Sequence, residues 1–203
     1  FWARLAKRTP RLGYFVGGFQ ALWDELAQRV QAQGGTIRLE SHVRQVQRDG
    51  ERLRLTLAVG DALHDRVLAT CSPRMLRERT PELPADYAAG LESLHSLGAV
   101  VLVLALSQQL TSTHYWINLP KRENFPFLAL VEHTNYISPE HYGGDRLVYC
   151  GDYLPPDHPN FSAEPEALLE HFVPALQQVN PAFSPTWVRR MWKFSEIYAQ
   201  PVP

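Results

Sequence analysis

Val16-Gly17-Gly18-Phe19-Gln20-Ala21-Leu22-Trp23-Asp24-Glu25-Leu26-Ala27-Gln28-Arg29-Val30, followed by Gln31-Ala32-Gln33-Gly34-Gly35 and two short alternating runs as far as Val46, decides the fold. Phe19, Leu22, Trp23, Leu26, Ala27 and Val30 recur at three- and four-residue spacing and form one apolar stripe. Gln20, Asp24, Glu25, Gln28, Arg29 and Gln31 fill the opposite face. The pattern predicts an amphipathic helix laid on a sheet, with roughly 1.5–3 kcal/mol gained per large apolar side chain buried. Gly34-Gly35 supplies positive-φ positions at which a helix stops. Leu12–Val16, Thr36–Glu40 and His42–Val46 read as strands around it.

Downstream, Asp49-Gly50 signals a hairpin, and Leu53, Leu55, Leu57 and Val59 alternate with Arg54, Thr56 and Ala58. Gly60-Asp61 turns the chain again, and Arg66 to Cys71 reads as a buried strand leading inward. Ser72-Pro73 opens a short helix through Arg79, with proline at its first position. Pro81 and Pro84 mark a boundary, followed by a helix at Tyr87–Leu94. Leu97 to Leu106 is apolar throughout and is expected as a strand buried on both faces. Tyr115–Leu119, Phe127–His133 and Leu147–Tyr153 are three more strands, with an aromatic, Gly-rich loop at Ile137–Asp145. Glu164–Val179 is a second long helix, with Pro174 expected to bend it, and Trp187–Phe194 a closing strand. Phe1 to Arg11 reads as a short basic helix or turn.

The fold class is therefore α+β: a mostly antiparallel sheet with helices on one face, plus a helix and a three-stranded β-meander. A doubled glycine opening a long helix, a glycine turn, a short strand and a valine-bearing strand resemble the amine-oxidase-like FAD-dependent oxidoreductase superfamily. Ala69-Thr70-Cys71-Ser72-Pro73 is similar to that superfamily's strand-end motif of a small residue, Thr and Pro. His114-Tyr115-Trp116-Ile117-Asn118, Glu132-His133-Thr134-Asn135, His141-Tyr142-Gly143-Gly144 and Tyr198-Ala199-Gln200-Pro201 resemble the protoporphyrinogen-oxidase-like and carotenoid-desaturase-like bacterial group. The resemblance covers nearly the whole chain. It implies that residues 1–80 are the helix-plus-meander portion of a FAD-binding domain, 81–196 a substrate-binding lobe, and 197–203 a segment returning toward the FAD domain. It places Val43 against adenine and Thr70 and Cys71 beside the pyrophosphate. It also puts Trp116, His133 and Tyr198 on one substrate cavity facing the flavin. His133→Ala is then expected to spare stability and flavin content while lowering turnover.

What is missing sharpens this. A dinucleotide site needs a spaced glycine triplet between strand and helix, and none occurs here. Both ends look cut from a longer protein, so FAD is expected in the full-length protein and none bound by this fragment, which alone should be inactive. The stretch Ala99–Val103 lacks the lysine that the amine-oxidising branch carries on its long strand, which favours desaturase-like or protoporphyrinogen-like chemistry. No catalytic residue is singled out.

Composition excludes other classes. The chain has 203 residues, 45% of them hydrophobic, and a net charge of −1, with no basic footprint for nucleic acid. No run approaches the roughly 20 apolar residues of a spanning helix. Two cysteines, Cys71 and Cys150, suit a reducing compartment. The expected location is cytoplasmic, with peripheral membrane contact left open, and the expected partner is a small organic substrate. The eight histidines lack metal-ligand spacing, and no serine elbow is present. The competing reading is a non-catalytic module that binds an apolar ligand or protein partner through the aromatic residues of the second half.

Overall fold

The computed structural model describes residues 12–120 and 123–202. The expected helix or turn at Phe1–Arg11 lies outside them. The chain divides into two compact units, 1–68 and 69–203, a division that falls earlier than the prolines at 81 and 84.

In the first unit, helix α1 (Gly18–Ala32) forms as its periodicity dictates. It starts after Gly17 (φ 85°) and stops where Gly34 takes φ 86°. Gly35 serves a different purpose from the one expected: its φ is not left-handed, but a Cβ there would meet Val30 Cγ1 at 2.6 Å. The meander is β1 (Val43–Asp49), β2 (Arg52–Leu57) and β3 (Asp61–His64), antiparallel in that order. Gly50 and Gly60 turn it at positive φ. Arg54 on the middle strand pairs with both Asp49 and Asp61.

Three expected strands do not form. Among the described residues, 12–16, 36–40 and 66–71 have no partner strand. A strand is defined by the ladder it shares with a neighbour. Likewise the α1 stripe is uncovered: Phe19 is 55% and Trp23 57% exposed, and no residue of the helix is buried. The described residues supply no sheet for it.

The second unit is a sheet lobe. Ser72 caps α2 (Pro73–Arg79), its Oγ accepting from the Met75 amide, and α3 (Ala85–Glu92) follows. A five-stranded antiparallel sheet, ordered β5-β6-β7-β4-β8, is built from β4 (His95–Leu106), β5 (Trp116–Asn118), β6 (Ala129–Glu132), β7 (Arg146–Leu154) and β8 (Val188–Val202). β8 continues through the segment expected to leave the lobe at 197. Helix α4 (Pro165–Val179) includes Pro174 and buries Leu168, Leu169, Phe172, Ala175 and Leu176.

Side chains alternate across a strand, so α4 meets Val100, Leu102, Leu104 and Leu106 of β4, with Leu130, Val148 and Cys150 beside them in one core. Gly98 belongs to this face. A Cβ there would lie 2.3 Å from Phe161 Cζ. The opposite face of β4 is buried only toward its C-terminal end, at Val103 and Ala105; Leu97, Ala99 and Val101 are half-buried. This corrects the expectation of burial on both faces. Among the described residues of the lobe, that half-buried stretch leaves one side of the sheet partly open.

Candidate functional site

The open face is assembled by register. Trp116 pairs with Val131, Val131 with Tyr149, Tyr149 with Val103, and Val103 with Trp192, making one row across all five strands. The next row is Asn118, Ala129, Gly151, Val101 and Phe194, and beyond it Tyr153, Ala99 and Glu196 stand side by side. Small residues thus occupy the middle, with aromatic rings around them. Trp116 is 55%, Phe194 61% and Tyr153 42% exposed. Large aromatic surface left in water is unfavourable, and a contiguous patch of it marks a binding surface.

Two rim residues are braced by buried polar groups. His133 Nε2 lies 2.7 Å from Tyr142 Oη, and the His133 ring meets Tyr149 edge-on at 5.8 Å. Burial lowers the His133 pKa below its ordinary value, which favours the neutral ring. On the far side Arg190 lies over the Trp192 ring at 5.4 Å, and its Nη2 donates to Asp145 Oδ2 at 2.6 Å. Asp145 also accepts from Arg189 at 2.8 Å; the Arg190 bond first, and then the Arg189 bond, hold this carboxyl below the usual range.

The Glu132-His133-Thr134-Asn135 motif works as a knot. Glu132, fully buried, accepts from the Leu110 amide (2.9 Å) and from the amide and hydroxyl of Thr111 (both 2.6 Å). Thr134 Oγ1 accepts from the Leu147 amide, and Asn135 Nδ2 donates to Thr111 and His114. His133 ties this motif to His141-Tyr142-Gly143-Gly144 through Tyr142.

Of the three residues expected on one cavity, Trp116 and His133 border the same open face. Trp116 stands on edge strand β5, its Nε1 donating to Asn118 Oδ1 at 2.8 Å. His133 is 6% exposed and reaches the face only through Tyr149. Tyr198 is elsewhere. It lies six residues past Trp192 on β8 and lines a cavity of about 580 Å³ with Arg74, Arg77, Glu92, His95 and Pro156. Arg74 sits over its ring at 5.9 Å. Arg77 Nε stands 3.0 Å from Glu92 Oε1, an ion pair too oblique to satisfy the Nε proton. With Glu78 also on the wall, two arginines face two glutamates, and strand length separates this cavity from the aromatic rows. Among the described residues no cluster of His, Cys, Asp or Glu could hold a metal ion, and no helix is long and apolar enough to cross a membrane.

Sequence reasoning missed Tyr149, Gly151, Trp192 and Phe194. Tyr149-x-Gly151-x-Tyr153 was a usable signal, since period two puts all three on one face.

The lobe is thus an antiparallel sheet with one helix-packed face and one face on which aromatic side chains are exposed. The comparisons give it a family. The model for flavin containing amine oxidoreductases matches residues 2–201, and the chain belongs to that family. A proposed protoporphyrinogen oxidase from Exiguobacterium sp. 255-15 has a TM-score of 0.81 at 17% identity, over 99% of this chain and 43% of that one. Reduced UDP-galactopyranose mutase gives 0.73 at 13% identity, over 100% of this chain and 45% of the other. An oxidoreductase from Methanosarcina mazei gives 0.68 at 17%, over 90% and 43%. At such identities the likeness shows the fold, and the chain spans less than half the length of each of these structures. No curated protein sequence matches it.

The family implies FAD. A pyrophosphate needs a strand, a glycine-rich turn and a helix N-terminus. Gly17 and Gly18 open α1 at positive φ, but residues 12–16 before it form no strand. The described residues do not build that cradle. Val43 begins β1, at a register shift before Gln45. Thr70 and Cys71 are exposed on an unpaired segment.

Proposed function

We propose that this chain is the substrate-lobe portion of a FAD-dependent oxidoreductase whose full-length form oxidises or dehydrogenates a flat or apolar organic substrate by hydride transfer to the flavin. In this reading residues 1–80 belong with the FAD-binding side, 81–196 form the lobe, and 197–203 lead back. The Val43, Thr70 and Cys71 backbones contribute to the cofactor's surroundings. The observation that carries the reading is the open face: five strands present Trp116, Tyr149, Tyr153, Trp192 and Phe194 around a floor of Ala, Gly and Val, in a chain of the flavin containing family.

The residues of this lobe have three tasks. The apolar floor excludes water from the reacting carbon, the rings orient a planar substrate by stacking, and the braced rim keeps them in one geometry. Trp116 bounds the face directly, while His133 positions Tyr149. Tyr198, at its own cavity, is retained as a contact where the lobe meets the substrate's far end or its entry path. The matching names among the structural neighbours, oxidoreductase and protoporphyrinogen oxidase, agree with a redox reaction on an organic molecule.

The test uses the full-length flavoprotein. Trp192→Ala and Phe194→Ala, both exposed, should keep flavin content and raise KM about tenfold or more, a loss of about 1.4 kcal/mol in substrate binding. Unchanged kinetics in both variants would remove the open face from the site.

A further inference from the structure

Gly151 lies mid-strand in β7, where neither of the usual reasons for a glycine applies. Its φ is not left-handed, so the backbone does not demand it. A Cβ built on it would meet Val101 Cγ2 at 3.4 Å and the Val100 carbonyl oxygen at 3.9 Å, which is ordinary packing distance. Gly98, the other strand glycine of the lobe, is the opposite case: there a Cβ would sit 2.3 Å from Phe161 Cζ and 2.8 Å from the Glu196 oxygen. A glycine inside a strand loses side-chain packing and costs chain entropy, and where the fold does not need it, it marks a place that something approaches closely.

What approaches can be read from the neighbours. Gly151 is the centre of its row, between Ala129 and Val101, and its own strand carries Tyr149 and Tyr153 two residues to either side on the same face. Strand rise sets those two tyrosine Cα atoms about 14 Å apart, and strand spacing sets Ala129 and Val101 about 10 Å apart. The result is a shallow oblong recess with a methyl-and-backbone floor and a tyrosine at each end. The rows of Tyr149 and Gly151 carry no charged residue, and Glu196 stands two strands from Tyr153 at the end of the next row. Its shape suits a planar fused-ring system lying face down. More than half of the length of the matching structures lies beyond this chain and is where an opposite wall would come from.

We propose that Gly151 is a specificity-determining residue, the floor that lets a planar, fused-ring, largely apolar substrate lie against the sheet between Tyr149 and Tyr153. The inference deepens the reading of the open face and rests on it. Any side chain at 151 would lift such a molecule off the floor, a methyl slightly and a larger group fully, whereas a globular apolar molecule, which touches only the rings, would be indifferent to the change.

The experiment is equilibrium dialysis of the full-length flavoprotein against two probes, planar anthracene-2-carboxylate and globular adamantane-1-carboxylate. Wild type should prefer the planar probe. Gly151→Leu should weaken it by at least about tenfold and leave the globular probe within about twofold, with flavin content unchanged. Gly151→Ala, whose methyl the structure accommodates, should fold in any case and weaken the planar probe by about threefold. Equal planar-probe affinity in wild type and both variants would overturn the proposal; if Trp192→Ala still weakened the probe, the open-face reading would survive alone. If Trp192→Ala and Phe194→Ala also left the probe unaffected, both readings would fall. Loss of flavin or of both probes together in the Gly151 variants would mean that the recess receives another part of the protein, and would also overturn it.

Discussion

Consider His133 and Tyr142, the pair that joins the two sequence motifs. The Nε2–Oη contact of 2.7 Å is a hydrogen bond in a nearly buried place, and such a bond contributes about 0.5–1.5 kcal/mol net. The ring also meets Tyr142 at 5.4 Å and Tyr149 at 5.8 Å, both edge-on. At roughly 0.5–1 kcal/mol for each ring contact, His133→Ala should destabilise by ~1.5–3.5 kcal/mol. That differs from the expectation that His133→Ala would spare stability, which treated His133 as an exposed pocket residue. Tyr142→Phe removes only the hydroxyl and should cost ~1 kcal/mol, and the double variant should show a coupling of ~1 kcal/mol. Urea unfolding of the full-length protein, followed by the lobe's tryptophan fluorescence, measures all three. pH adds an independent arm. Burial lowers the His133 pKa from 6.5, so between that value and the folded one the unfolded chain binds more protons than the native chain. Stability should therefore be flat above about pH 6.5 and fall as pH drops below it, with the slope reduced in His133→Gln. Zero coupling between the two residues together with an unchanged acid slope in His133→Gln would refute the bracing role.

The remaining expectations concern a glycine and the two thiols. Gly98→Ala should destabilise by ~1–3 kcal/mol because the added methyl is driven into Phe161 and the Glu196 backbone; a variant as stable as wild type in the same urea titration would show that the lobe relaxes freely there. Cys71 is exposed, whereas Cys150 is buried and its thiol is pushed up by desolvation. Iodoacetamide should accordingly alkylate Cys71 in flavin-free full-length protein and Cys150 only after unfolding. If Thr70 and Cys71 adjoin the cofactor, adding FAD should slow Cys71 alkylation, and equal rates with and without FAD would remove that segment from the cofactor site.

What could be read in advance follows the range of the interaction involved. The helix at 18–32 and the helix at 165–179 depend on neighbours three and four residues away, and both appeared within a residue or two of their expected bounds. Hairpin turns at Gly50 and Gly60 are equally local. Strands are not local. Residues 36–40 alternate as cleanly as those of β1, yet only the latter find a partner within the described chain, so the same pattern gives a ladder in one place and none in the other. The uncovered Phe19 and Trp23 on α1 tell the same story for packing. A periodic pattern reports what a segment is suited to, and the partner decides what it becomes.

The site was harder to read because its rows run across the chain's order. Trp116, Tyr149 and Trp192 share one row although dozens of residues separate them, and register alone brings them together. The motifs drew attention to His133 and Tyr142, but their conspicuous side chains turn inward to bond each other while Gly151, with no side chain at all, comes to the centre of the face. In sequence Gly98 and Gly151 are alike, each a single glycine in an apolar strand. Only the neighbours distinguish them: Phe161 fills the space over Gly98, whereas at Gly151 the nearest side chain, Val101, stays at ordinary contact distance. One glycine is there so that the protein can pack against itself. The other is the one proposed to leave room for a substrate.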